Sequence, residues 1–349
     1  MAPEIAPPTA YALPEDHLFH LPGHRGTLSY MIFGDPSAPP DRTVFYNHGT
    51  GSSLLDAYLY DAAARKRHIR VVGVDRPGSG KSPLRPGHSS AGAPPRRIAD
   101  WPADIRALAE HLGATRFAMI GVSGGGPHTY ACVDAIPPNQ GLVGACVLAS
   151  AYPKHFGTEG MSLVNKFMFW ICAWSPWVVE KIFEFGMGGV AKDDGESPEK
   201  LARMLDQGFR GRPAPDREAW EHGAREESGD VGVEPSVFRA VMAESIRRAL
   251  RDGCKGAAWD LYAVAVDWGF KLEDLAGRVQ SLEGKDPDKT KLVVLHGRQD
   301  INCPVSTAFK AQQLFPEADW RIRDGDAHVS ILVNTPVEVM DAVDKMFSD

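Results

Sequence analysis

The sequence predicts an α/β protein: a mostly parallel sheet with helices on both faces, interrupted by one large helical insertion. Three observations lead there. Short apolar runs with strand character alternate with stretches of helical spacing early in the chain and again near its end. Most of these runs are continuously apolar, which is the pattern of strands buried on both faces. The rhythm stops after residue 152 and resumes at 288. The stretch between them, about 135 residues judged by where the periodicity changes, therefore reads as an insertion into one domain.

Taken in order, residues 1–17 are proline-rich at their start and read as a loose arm. Strand character begins at Leu18, and residues 27–33 (TLSYMIF) alternate until Gly34-Asp35-Pro36 breaks them. Residues 43–47 (TVFYN) and 70–74 (RVVGV) are strands, with a helix expected over 54–67 between them. Ile105, Leu108, Ala109 and Leu112 give helical spacing over 98–112, and Gly113 ends it. A strand at 117–121 (FAMIG), a helix over 127–135 and a strand at 143–149 (VGACVLA) follow. After the insertion come residues 291–296 (KLVVLH), 305–315, 320–323 and 331–347. The expected layout is a core of 18–152 and 288–349, a helical cap of 153–287 and an arm of 1–17.

The chain has 349 residues, 43% of them hydrophobic and 24% charged, an ordinary globular balance with ample length for a core. Lys plus Arg is 38 against 45 Asp plus Glu, a net charge of −7, which argues against nucleic-acid binding through phosphate neutralisation. The 5 cysteines are widely spaced with no C-x-x-C, so neither a disulfide framework nor a structural zinc site is expected. The start of the chain has no basic segment and no apolar run, so no signal peptide is expected. The most apolar region, 161–177, is broken by Asn165, Lys166 and Pro176, and membrane association is not expected. The reading is a cytoplasmic protein of a reducing compartment.

The sharpest chemical feature is Gly121-Val122-Ser123-Gly124-Gly125, a G-x-S-x-G between a strand and a helix. Such a turn strains the serine backbone, and its glycines make room for neighbouring main chain. The serine hydroxyl then projects above the sheet, and the Gly124 N–H at the helix start is free to meet a developing oxyanion. His48-Gly49-Thr50 follows an early strand and offers the Thr50 N–H as a second donor, with His48 holding the loop. Two apparent nucleotide motifs fail. Gly80-Lys81-Ser82 needs a glycine at 75, which is Asp75, and a G-x-G-x-x-G begun at Gly124 ends on Thr129. No clustered metal-ligand spacing is present, and no metal is expected.

His48-Gly49-Thr50, Asp75-Arg76-Pro77-Gly78-Ser79-Gly80-Lys81-Ser82, the glycine-serine turn, His296-Gly297-Arg298-Gln299-Asp300 and His328 occur in an order that resembles the α/β-hydrolase superfamily, in its cap-bearing serine hydrolase branch. The likeness covers 18–152 and 288–347. It implies an eight-stranded, mostly parallel sheet with a helical lid after the sixth strand, a Ser–His–Asp triad and no cofactor. The superfamily order of nucleophile, acid, histidine makes Ser123, Asp300 and His328 the expected catalytic set. Asp324 and Asp326 stand too near His328 in sequence and read as solvated loop charges. The expectation is a serine esterase or lactonase acting on a small hydrophobic substrate through an acyl-enzyme. A C–C bond hydrolase, an aminopeptidase-like hydrolase or an acyl transferase on the same triad stays open, as does a non-catalytic binding protein. Homodimerisation is left open too. Aromatics of the insertion, Trp170, Trp174, Trp259 and Trp268 among them, are the candidate substrate contacts.

Overall fold

The computed structural model describes residues 11–84, 96–192, 197–224 and 233–348. Residues 1–10 of the expected arm, and 225–230 of the charged stretch 221–230 (EHGAREESGD) whose sequence reads as an exposed turn or helix end, lie outside the described residues.

Among the described residues nine strands form one sheet: β1 (His17–His20), β2 (Thr27–Gly34), β3 (Thr43–Asn47), β4 (Arg70–Val74), β5 (Phe117–Val122), β6 (Leu142–Leu148), β7 (Val279–Gln280), β8 (Thr290–Gly297) and β9 (Asp319–Arg323). The order is β1-β2-β4-β3-β5-β6-β8, with β7 and β9 sharing the outer edge of β8. β2 pairs antiparallel with β1 and β4, and every other pairing is parallel. The helices are α1 (Asp61–Arg65), α2 (Trp101–His111) and α3 (Gly125–Ala135). Those inserted between β6 and β7 are α4 (Leu163–Trp174), α5 (Pro176–Phe183), α6 (Gly189–Ala191), α7 (Ser197–Phe209), α8 (Ala214–His222), α9 (Pro235–Leu250) and α10 (Lys255–Ala265). After β8 come α11 (Val305–Leu314), α12 (Ser330–Asn334) and α13 (Pro336–Ser348).

The continuous apolar strands are buried on both faces, and the period of two divides their side chains between two cores. Phe45, Phe117, Met119, Ala145, Val147, Leu292 and Val294 pack with Trp101, Ile105, Leu108 and Tyr130 of α2 and α3. Val44, Tyr46, Ala118, Ile120, Cys146, Leu148, Val293 and Leu295 pack on the other face with α1 and with Val339, Met340 and Val343 of α13.

The structure differs from expectation in three places. β7, two residues long, lies within 153–287, so the sheet resumes before the expected end of the insertion. It is also the ninth strand, beyond the eight expected, and two residues carry no readable periodicity. Residues 54–67 form a 3-10 turn, Leu54–Tyr60, before the short α1. The stretch 331–347 divides into α12 and α13 at Pro336, which has no N–H to continue the first helix. Among the described residues no helix is long and apolar enough to cross a membrane.

Candidate active site

All the residues singled out for catalysis sit beyond the carboxyl ends of the parallel strands, the edge where open α/β sheets bind ligands. Ser123 occupies the tight turn from β5 into α3, with φ of 52°. A left-handed non-glycine residue of this kind costs about 1–3 kcal/mol and persists only where its surroundings hold it. Here the Ser123 N–H donates to Leu148 O at 3.0 Å, and Ser123 O accepts from Gly126 and Ala151 at 3.0 and 3.1 Å. The flanking glycines are required by contact. A Cβ at Gly121 would lie 2.2 Å from Thr129 Oγ1, and one at Gly125 would lie 2.2 Å from Asn47 O.

His328, on the loop between β9 and α12, places Nε2 3.1 Å from Ser123 Oγ and Nδ1 2.7 Å from Asp300 Oδ2. Asp300, past the end of β8, takes two main-chain N–H groups on its other oxygen, from Asn302 at 2.7 Å and Cys303 at 2.8 Å. Burial works to raise this carboxyl. The His328 ring, its hydrogen bond, the nearby His296 and the Cys303 N–H outweigh burial and hold it below the usual carboxylate range. The His328 loop is itself secured from the insertion. The buried Asp216 of α8 accepts the N–H groups of Val329 and Ser330 at 2.7 and 2.9 Å.

Thr50 and Gly124 meet at close range, since a Cβ at Gly124 would lie 2.1 Å from Thr50 Oγ1. Neither residue's N–H donates to a main-chain carbonyl outside the regular elements among the described residues. His48 is fully engaged elsewhere. Its Nδ1 donates to Gly49 O at 2.7 Å, and its Nε2 accepts the Arg76 N–H at 3.1 Å. Burial and the Arg76 charge keep the His48 ring well below its ordinary pKa, and therefore neutral. With both nitrogens occupied it has no role as a base for Ser123.

A cavity of about 210 Å³ opens at Ser123, lined by Thr50, Gly124, Ala151, Tyr152, Met161, Asn165, Met168, Phe169, Phe183, Leu261, Val264, Asn302, Cys303, Pro304 and Thr307 among others. None of its lining side chains is charged. Burial pushes the Cys303 thiol well above its ordinary pKa, so it stays protonated beside Ser123. Among the described residues no group of three or more His, Cys, Asp or Glu side chains gathers as metal ligands would.

Several sequence expectations need correction. Trp170 and Trp174 are 54% and 76% exposed and lie on the outer side of α4. The inner side of α4 carries Asn165, Met168 and Phe169 into the cavity and Cys172 into the core. Trp268 is buried in the core that α2 and α3 share, its Nε1 donating to Val264 O at 2.9 Å. Trp259 lines a separate small cleft with Arg76, Pro77, His128 and Asp260. None of the four lines the cavity at Ser123. Asp326 is buried and accepts from Asn334 Nδ2 at 2.8 Å, whereas Asp324 is solvated as expected. Sequence reasoning missed Arg76, Asp216 and Asp260. Arg76 sat inside a recognised block, but nothing in the spacing of the insertion marks its two aspartates.

No family model matches the chain, and no curated protein matches it. Many solved structures do. A bromoperoxidase from Bacillus anthracis aligns at 16% identity and TM-score 0.58, covering 96% of this chain and 100% of that one. A thermophilic esterase from Thermogutta terrifontis aligns at 16% identity and TM-score 0.56, covering 94% and 96%. An enol-lactonase from Burkholderia xenovorans LB400 aligns at 17% identity and TM-score 0.54, covering 94% and 97%. These likenesses, together with the strand order, show that the chain has the α/β-hydrolase fold. At such identities they carry the fold and not the reaction.

Proposed function

We propose that this protein is a serine hydrolase that cleaves a carboxylic ester or lactone of a small, uncharged, apolar substrate. The observation that carries the reading is the hydrogen-bonded line from Ser123 Oγ through His328 to Asp300, at 3.1 and 2.7 Å, beside an uncharged cavity. In the first step Ser123 Oγ attacks the carbonyl carbon while His328 Nε2 takes its proton. Asp300 holds the ring with Nδ1 protonated and balances the imidazolium. The N–H groups of Thr50 and Gly124 receive the oxyanion. His328 then gives the proton to the leaving alkoxide, and water repeats the cycle on the acyl-enzyme. The inserted helices serve as the cap that shapes the acyl pocket, with Met168, Phe169, Phe183 and Leu261 against the substrate.

The absence of charge among the lining residues favours this reading over an aminopeptidase, which needs a carboxylate for the substrate's ammonium group. The test is hydrolysis of 4-nitrophenyl butyrate and of a small γ-lactone by the native protein and by Ser123→Ala. Turnover by the native protein and its loss in the variant is the expected result. Equal rates in the two would refute the assignment.

A further inference from the structure

Asp260 of α10 is a carboxylate at which the insertion meets the Thr50 side of the site, as Asp216 meets the His328 side. Its Oδ1 lies 2.8 Å from Arg76 Nε and its Oδ2 2.7 Å from Arg76 Nη2, and Oδ2 also accepts the Thr50 hydroxyl at 2.9 Å. Arg76 passes the constraint on. Its Nη1 donates to His48 O at 2.5 Å and its Nη2 to Gly49 O at 3.4 Å. The Arg76 side chain is 3% exposed, so this ion pair is poorly screened. Burial works to raise the Asp260 carboxyl, but the Arg76 charge and hydrogen bonds outweigh it and the carboxyl is held at about 2, so it is ionised at neutral pH. On the other side, His128 Nδ1 bonds Gly124 O at 3.0 Å, and its Nε2 lies 4.0 Å from Asp260 Oδ1. Burial and the Arg76 charge push this ring down to about 3, so it is neutral.

The geometry of one peptide plane gives these contacts a consequence. In a trans peptide the carbonyl of residue 49 and the N–H of residue 50 point in opposite directions. Gly49 O is held by His48 Nδ1 and by Arg76, on the side of the ion pair. The Thr50 N–H is therefore turned away from Arg76. The Thr50 side chain is pinned independently by Asp260. We propose that Asp260, acting through Arg76 and the Thr50 hydroxyl, is a positioning residue that sets the direction of the Thr50 N–H toward the oxyanion. The inserted helices thereby form part of the oxyanion apparatus as well as a wall of the pocket. This rests on the serine hydrolase reading above.

The test uses the full-length protein and two readouts: the rate of phosphonylation of Ser123 by a fluorophosphonate, and kcat and KM for 4-nitrophenyl butyrate. Thr50→Val removes the hydroxyl but keeps the main-chain N–H and the Arg76–Asp260 pair, and Thr50→Ser restores the hydroxyl. Thr50→Val is expected to lower kcat and the labelling rate about 10-fold, with KM changed by less than about threefold. Thr50→Ser is expected to recover most of the loss. Asp260→Asn is expected to lose about 100-fold in kcat, the size of losing one oxyanion donor. Native rates in Thr50→Val overturn the proposal. So does a loss not recovered by Thr50→Ser, a loss confined to KM, or a loss that tracks a fallen thermal midpoint. Ser123→Ala separates the two levels. Labelling that persists there refutes the hydrolase reading. Labelling lost there but undiminished in Thr50→Val refutes the positioning role alone.

Discussion

Asp300 stays charged in a buried site because its two oxygens face different partners, His328 on one and the N–H groups of Asn302 and Cys303 on the other. An asparagine in its place has no charge to balance the imidazolium in either orientation, and in one of them it turns an N–H₂ toward the ring. Asp300→Asn is therefore expected to lower kcat by about 10³–10⁴-fold while leaving the fold intact, measured on an aryl ester beside a thermal melt. Asp56 gives an opposite case. It is buried, its Oδ1 has no hydrogen-bond partner among the described residues, and burial raises its carboxyl to about 6. Its folded pKa lies above the unfolded value near 3.9, so the folded state binds the extra proton between about pH 4 and 6. Stability accordingly falls as pH rises through that window, by up to about 3 kcal/mol from this group. Asp56→Asn is expected to remove that fall, so that thermal midpoints of variant and native protein diverge from pH 5 to pH 7. Parallel midpoints across the range would contradict it. At this scale the sequence was legible where a backbone constraint leaves a signature. The glycines around Ser123 mark it, whereas Asp300 and His328 were reached only through the order of nucleophile, acid and histidine that the superfamily resemblance implies. Asp326 was misread because its burial depends on Asn334 and Arg323, which no local pattern reveals.

At the scale of elements, α4 shows why the substrate contacts were misassigned. Its sequence is apolar nearly all round, so the hydrophobic pattern does not say which face turns inward. Leu163, Phe167, Trp170 and Trp174 make one stripe at helical spacing, and Asn165, Met168, Phe169 and Cys172 make the other. Tertiary packing against α10 settles the choice, and the larger aromatics lie outside. The β5–α3 turn is the opposite extreme, an element whose geometry is written in its residues. Gly121→Ala would drive a Cβ into the Thr129 side chain and its neighbourhood at 2.2 Å. It is expected to destabilise the protein by about 1–3 kcal/mol, seen as a lowered thermal midpoint, with loss of Ser123 labelling. An unchanged midpoint would show that the turn relaxes more readily than its contacts imply.

Across the whole molecule, the strand–helix rhythm was enough to recover a parallel sheet with two buried faces, because fully apolar strands are required wherever helices cover both sides. How the insertion docks was not legible, since its anchors are isolated side chains, Ser245, Arg248 and two aspartates among them. Asp216 holds the His328 loop through Val329 and Ser330, and Asp260 holds the Thr50 loop. Asp216→Ala would strand two buried main-chain N–H groups and the partly buried Arg212. The expected cost is about 2–5 kcal/mol, with faster hydrogen exchange at Val329 and Ser330 than in the β5 and β6 amides. Unaltered exchange there would mean that the His328 loop does not depend on the insertion.

The account rests on Ser123 being activated by His328. The most direct measurement is the site and rate of fluorophosphonate attachment, read by peptide mass spectrometry on the native protein and on His328→Ala. The predicted result is a single adduct on Ser123, formed at least about 10³-fold more slowly in the variant. An adduct on another residue, or one on Ser123 formed equally fast in both proteins, would contradict it.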